Sequence, residues 1–365
     1  MLTVNELLRD SVIHHEINLA HYGNDVVRRM LEILARTDAE LFQQLTAALL
    51  NVDSTTFKVE RLDALLASVR AVNERAYLAL REGLEAEART MTEYEAEFQT
   101  SMFRETLPVG VNIASVNPPA VFAAATAEPF RGRLMKEWAE KLAADRIDRI
   151  RDNVRIGFVQ GRTTQDIVRS VVGTRAEKYA DGLLTIDRNN AATVVRTALS
   201  HYAAAARDDF HAQNADLIAS VVWSSTLDNR TSPMCQIRDG KRYRNDDTHT
   251  PIGHKVPWLE GPGKLHWNCR SSYYAVVKGW KALGLDLPAG ERSAMDGYVP
   301  GDVKFGEWFT AQTPKRQREI FGAKRYELMK RGGLAFDRFF NDKGLFLTLD
   351  QLRKRDASAF RRAGI

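Results

Sequence analysis

The chain has 365 residues, 44% of them hydrophobic and 27% charged, enough for two or three domains with an apolar core. No stretch approaches the ~18 uninterrupted apolar residues of a spanning helix, and MLTVNELLRD lacks the basic-then-apolar layout of a secretion signal. A soluble globular protein without a membrane partner is therefore expected, and the two cysteines, Cys235 and Cys269, point to a reducing compartment rather than a disulfide scaffold. The net charge of +5 is uneven. Residues 315–365 carry 14 Lys and Arg against six Asp and Glu, a surplus of +8, which leaves the first 314 residues at −3.

The predicted elements begin with two long amphipathic helices. Val26, Val27, Met30, Leu31, Leu34, Leu41, Phe42, Leu45 and Leu49 recur at three- and four-residue steps over 25–50. Leu62, Leu65, Leu66, Val69, Val72, Ala76, Tyr77, Leu80 and Leu84 repeat the pattern, with residues 51–56 as the turn, so 1–107 reads as a helical hairpin or bundle. His14 and His15 would lie about 100° apart on a helix, a poor geometry for one ion, and read as surface histidines. Residues 108–130 are small and apolar, and Pro118 and Pro119 argue against a regular helix and for a linker or packing arm.

Helix resumes with Leu134, Trp138, Leu142, Ile147, Ile150 and Val154 on one face, with Glu137 and Lys141, and Asp145 and Arg149, as i, i+4 pairs. Gly161 closes it, Thr163 with Asp166 opens a short helix through Val172, and a further helix is expected from about Arg188 to Gln213. LIASVVWS (217–224) and SYYAVV (272–277) have the length and β-branched composition of strands, framing a polar, Gly- and Pro-rich loop over 226–270. The tail from Pro288 returns to helix, ending in KGLFLTLDQLRKR. The expected class is α+β and predominantly helical. Its expected parts are a helical region (1–107), an arm (108–130), a β-containing domain (131–283, motif core 188–277) and a basic helical tail (284–365).

The core region carries an ordered set of residues. Arg196 and Thr197 lie in RNNAATVVRTALSHYAAAA; Trp223, Asp228, Arg230 and Thr231 lie in VVWSSTLDNRT; then come Cys235, Asp239 and Gly240, and finally His266, Cys269 and Arg270. This order resembles the Mu F-like head morphogenesis family of tailed phages. That domain has an Arg-Thr helix, a Trp-ended strand followed by Asp-x-Arg-Thr, a Cys and an Asp-Gly turn, and a His-x-x-Cys-Arg close. The resemblance covers about a quarter of the chain. Family members commonly carry Cys-x-x-Cys and Cys-Arg-Cys at these sites; here Ser232 and Ser271 stand in place of two of the thiols, which counts against a closed four-thiolate zinc site.

Read physically, Cys235, His266 and Cys269 are soft and borderline ligands, with His249 or His254 available as a fourth. A structural zinc would order a loop of poor core-forming composition. Buried thiols acting as small hydrophobes are the favoured reading, so zinc is not favoured and no cofactor is assigned. A disulfide between the two cysteines is disfavoured by assembly in a reducing cytoplasm. Asp228 and Arg230 lie two apart in extended chain and point the same way, and with Thr231 and Arg270 they form a structural rather than catalytic corner. Asp239-Gly240 reads as a hairpin turn.

The resemblance implies a minor capsid or head morphogenesis protein and not an enzyme. Such a protein sits in the virion, in the head interior or at the portal vertex, after assembly in the host cytoplasm. Its partners would be the portal protein and the major capsid or scaffold protein, with a role in DNA packaging or ejection. From charge alone, Lys315, Arg316, Arg353, Lys354, Arg355, Arg361 and Arg362 are candidates for non-specific contact with double-stranded DNA; a solvated helical face is the other reading. The alternative is a metal-dependent nuclease or hydrolase using Asp228, His266 and the two cysteines, although phosphate-loop and nucleophile-elbow motifs are absent. A plain DNA-binding protein is the third reading, weakened by the lack of a reading helix or stacking platform.

Overall fold

The apolar stripe of the first helix does not stop where the sequence pattern becomes clear. Leu8, Val12 and Ile13 continue it backward, and a single helix, α1 (Val4–Leu50), results. α2 (Leu62–Leu65) and α3 (Ala67–Thr106) follow, with Val69, Val72, Ala76, Tyr77, Leu80 and Leu84 all buried. Phe42, assigned to the buried stripe, is instead 42% exposed. The computed structural model describes residues 4–50, 52, 62–107, 111–174, 176–177, 179–278, 291–295, 297–300, 303–341 and 343–365. The expected turn over 51–56, apart from Val52, and Pro108 and Pro288 lie outside the described residues.

The expected break at Pro118 and Pro119 is overturned, because both prolines stand at the start of α4 (Pro118–Ala127). The first helical positions have no intrahelical use for an N–H, and proline's fixed φ suits them, so a proline pair begins a helix as readily as it ends one. α5 (Met135–Val159) and α6 (Thr164–Val172) follow, the latter capped by Thr163 as its sequence indicates. The expected pairs on α5 re-form differently. Glu137 accepts from the Leu134 N–H as a cap, Asp145 pairs with Lys141, and Arg149 pairs with Asp187. Gly157 brings α5 and α6 together, since a Cβ there would lie 2.4 Å from Ile167. α7 (Leu183–Gln213) starts earlier than expected because Leu183 and Leu184 extend its apolar face.

The chain divides into two compact units, and the division falls inside the long helices. One comprises His21–Glu93 and Pro118–Tyr202; the other comprises Met1–Ala20, Tyr94–Asn117 and Ala203–Ile365. The first holds a core of Leu41, Leu45, Leu49, Leu66, Val69, Ile150, Val154, Ile167 and Val171. It also buries charge. Asp38 accepts from Arg146 and Arg188, and Asp187 from Arg149.

The second unit contains the sheet. β1 (Ile218–Ser224), β2 (Arg242–Tyr243), β3 (Pro251–Ile252) and β4 (Ser272–Val277) form an antiparallel sheet in the order β3-β2-β1-β4. β1 and β4 are paired with Trp223 opposite Tyr273 and Ser224 opposite Ser272, so the two strand ends that frame the long loop are adjacent. His15, expected at the surface, is 3% exposed in this unit, 2.7 Å from Glu95 and stacked on Phe98, while His14 is exposed as expected. Glu95 also accepts from Arg207 at 2.9 Å; burial alone would raise its pKa, but Arg207 and His15 hold it down at about 2.

The basic tail is a packed region rather than a free arm. A hairpin of β5 (Glu291–Ala294) and β6 (Gly297–Pro300) precedes α9 (Phe305–Ala311), α10 (Pro314–Phe321) and α11 (Ala323–Lys330). A 3-10 turn at Phe336–Phe339, α12 (Leu349–Arg355) and α13 (Ala357–Ala363) complete it. Phe305, Trp308, Phe309, Phe321, Phe339, Phe340 and Phe360 form its core together with Leu227 and Ile237 of the long loop. Helix makes up 64% of the chain, giving the expected α+β class. No helix among the described residues is long and apolar enough to cross a membrane.

Candidate functional site

The site grows out of the end of β1. Trp223 is fully buried, in edge contact with Trp258, and its indole N–H donates to Ser225 Oγ at 3.1 Å. Ser225 Oγ in turn donates to the Cys235 carbonyl at 3.0 Å, and the Ser225 N–H donates to Asp239 Oδ1 at 2.7 Å. The other Asp239 oxygen accepts from the Phe305 N–H at 2.8 Å, so one carboxylate holds both the strand end and the first tail helix. The expected hairpin at Asp239-Gly240 is corrected accordingly. The turn joins the short helix α8 (Pro233–Gln236) to β2, with Gly240 at φ +70° supplying the left-handed step.

Asp228 is the centre of the corner, as the sequence suggests. Arg270 grips it with two bonds, Nη1 to Oδ2 at 2.6 Å and Nη2 to Oδ1 at 2.7 Å, and the Arg230 N–H and Thr231 hydroxyl each donate to Oδ1 at 3.0 Å. Burial alone would raise the Asp228 pKa, but the hydrogen bonds and charge of Arg270 hold it below the usual carboxylate value. Arg230 contributes mainly through its backbone, because its side chain is 80% exposed and 3.6 Å from the carboxylate.

Thr231 and Ser232 lead into α8, where Ser232 caps the Cys235 N–H and Pro233 occupies the first turn. This puts Cys235 on the inner side, fully buried, facing the His266–Cys269 turn. The two sulfurs are 3.8 Å apart, and His266 Nε2 lies 3.1 Å from Cys235 Sγ and 2.7 Å from Ser232 Oγ. Asn268 at φ +54° bends the turn, in which the Cys269 N–H donates to the His266 carbonyl at 3.2 Å. Burial pushes the Cys235 thiol up, whereas the hydrogen bond from Cys235, with help from His266, pulls Cys269 down. A small cleft opens here, lined by Arg230, Ser232, Cys235, His266, Arg270 and Ser271.

Among the candidate ligands, Cys235, His266 and Cys269 come together. His254 does not join them; its Nε2 faces the Arg242 carbonyl at 2.8 Å and its ring packs edge-on against Tyr243. His249 stacks on Trp258 instead. The basic candidates Lys315, Arg353, Lys354, Arg355, Arg361 and Arg362 are exposed and Arg316 is half-buried, with Arg353 lying over the Phe360 ring at 4.8 Å.

Sequence reasoning missed Arg238. It is fully buried and, among the described residues, donates to backbone carbonyls rather than to a carboxylate: Met234 at 2.6 Å, Pro257 at 2.9 Å and Lys343 at 3.3 Å. Gly344 permits this docking, since a Cβ there would lie 2.6 Å from the guanidinium. An arginine in the string QIRDG carries no local sign that three separate segments will close over it.

These features define a mainly helical protein whose small antiparallel sheet presents a long loop, pinned by buried polar side chains and a thiol–imidazole cluster. Residues 148–274 match the family model described as Phage Mu protein F like protein, so this stretch is a Mu F-like region. The match contains the whole pinned corner. Neither curated proteins nor solved structures give a match to the chain.

Proposed function

We propose that the protein is a minor component of a tailed-phage head, incorporated during head assembly next to the portal and the inner capsid surface, and that it acts by contact rather than by catalysis. The carrying observation is the family match over 148–274, which spans the Asp228–Arg270 corner. That corner spends its polar groups on holding backbone: Asp228, Thr231, Asp239 and Arg238 all bond to main-chain atoms of the loop or the tail. Such internally satisfied groups suit a rigid contact surface. Mass spectrometry of purified virions should find the protein in a few copies per head, and a phage lacking the gene should give defective heads. Absence from the virion, with normal heads in the deletion, would overturn the reading.

The exposed cations of α12 and α13 favour an additional contact with packaged double-stranded DNA. Truncation at Lys315 is a poor test, because it removes Phe321, Phe339 and Phe360 from a shared core. Reversal of Lys354, Arg355 and Arg361 to Glu leaves that core in place. If the tail makes about four to six phosphate contacts, log affinity against log salt should have a slope near −4 to −5, and the reversed variant should lose most of it for any sequence. Portal co-purification that depends on these residues, without salt-sensitive DNA binding, would assign the charge to a protein partner.

A further inference from the structure

Three donor atoms from separate parts of the 226–270 loop converge on one point. Cys235 Sγ comes from α8, and Cys269 Sγ and a His266 ring nitrogen come from the turn before β4, all within 4.8 Å of one another. We propose that Cys235, Cys269 and His266 bind a single zinc ion, with the fourth position open to water from the adjoining cleft.

The geometry carries the proposal. Two thiolates each ~2.3 Å from a tetrahedral zinc lie ~3.8 Å apart. The observed separation is 3.8 Å, too long for a covalent S–S bond. His266 is oriented for the same role. Its Nδ1 lies 2.9 Å from the Trp267 carbonyl, an acceptor that fixes the proton on Nδ1 and leaves the Nε2 lone pair facing Ser232 Oγ at 2.7 Å and Cys235 Sγ at 3.1 Å, so a bound ion takes the place of the Ser232 hydroxyl at Nε2. A carbonyl behind the imidazole is the usual partner of a metal-bound histidine. A zinc–thiolate and zinc–imidazole arrangement would place that sulfur and nitrogen ~3.5 Å apart, so metal entry needs a movement of a few tenths of an ångström. With Ser232 and Ser271 bordering the cleft, the donor set is two sulfurs and one nitrogen, which selects zinc over magnesium or calcium.

The ion would tie the start of the loop, at α8, to its end, next to the Arg270–Asp228 clamp. Binding energy of this kind is folding energy.

The experiment uses tag-free, full-length protein purified anaerobically without chelator. Elemental analysis after zinc exposure and desalting should give about one zinc per chain. Titration with cobalt should produce thiolate-to-metal charge-transfer absorption and the intense visible bands of a tetrahedral site. His266→Gln should abolish the stoichiometric zinc while keeping the wild-type circular dichroism spectrum, and Cys269→Ser should remove the charge-transfer band or weaken it by about half. A strong chelator should lower Tm, with recovery on adding zinc. Zinc well below one equivalent together with no cobalt spectrum in the wild-type chain overturns the proposal, whatever the variants do. So does a Cys235–Cys269 disulfide recovered by mass mapping from the anaerobic protein.

Discussion

The loop over 226–270 and the tail over 305–363 share one compact unit and hold their shape by opposite means. The loop has few large apolar side chains of its own between Leu227 and Trp258, and its course is set by Asp228, Thr231, Gln236, Arg238 and Asp239 bonding to backbone. The tail is built on rings. Phe321 lies 4.4 Å from Phe309, 5.0 Å from Phe339 and 5.4 Å from both Phe336 and Phe346, centroid to centroid. Aromatic burial is tolerant of small displacements, whereas a buried carboxylate must keep its partners within hydrogen-bond distance or become a liability. The loop is therefore specified atom by atom and the tail by volume. They meet at Leu227, Ile237, Arg238 and Asp239, where each supplies what the other lacks.

The largest effect should come from the tail's centre. Phe321→Ala removes a ring that is 1% exposed and should cost about 4 kcal/mol in denaturant unfolding. If the tail's unfolding midpoint barely moves, volume is not what holds it. Asp228→Ala should cost about 3 kcal/mol, because it leaves the Arg270 guanidinium and the Arg230 N–H without their acceptor. Limited proteolysis should then cut between Asp228 and His266, while the tail fragment stays protected; equal sensitivity of both regions would erase the distinction.

Acid should separate the two further. His211 on α7 is buried among Phe103, Phe210 and Tyr273, its ring nitrogens have no hydrogen-bond partner among the described residues, and its carbonyl accepts from Asn245 of the loop. Burial lowers its pKa to about 3. The unfolded chain, with an ordinary imidazole near ~6.5, takes up the proton first, so stability present above that pH is lost as pH falls toward 3, by up to ~1.4 kcal/mol per pH unit. His211→Phe should flatten that part of the stability curve, measured by urea unfolding at a series of pH values. An unchanged slope would mean that other groups dominate. The smallest effect belongs to Arg230→Ala, expected to change stability by less than about 0.5 kcal/mol because its side chain is 80% exposed. A loss comparable to that of Asp228→Ala would show that the corner depends on the exposed Arg230 guanidinium as well as the half-buried one of Arg270.

Periodicity and strand composition made the long helices, the β1 and β4 strands and the α+β class legible, because those signals repeat along the chain and each element buries one face. Of the ordered motif, the part from Trp223 to Arg270 lies along β1 and the pinned loop, and the structure pairs Asp228 with Arg270. What the sequence could not decide were matters of long-range placement. Pro118 and Pro119 are ambiguous between ending a helix and beginning one until the next turn is built. His14 and His15 are chemically identical neighbours, and only Glu95, eighty residues away, makes one of them a core residue. The tail's charge is visible in composition, yet its packing depends on Leu227 and Ile237, and Arg238 is caged by carbonyls from Met234, Pro257 and Lys343. The convergence of Cys235, Cys269 and His266 is of the same kind. Residue type says which atoms are able to bind a metal, but whether they share a point is set by how the loop closes, a tertiary event with no local signal.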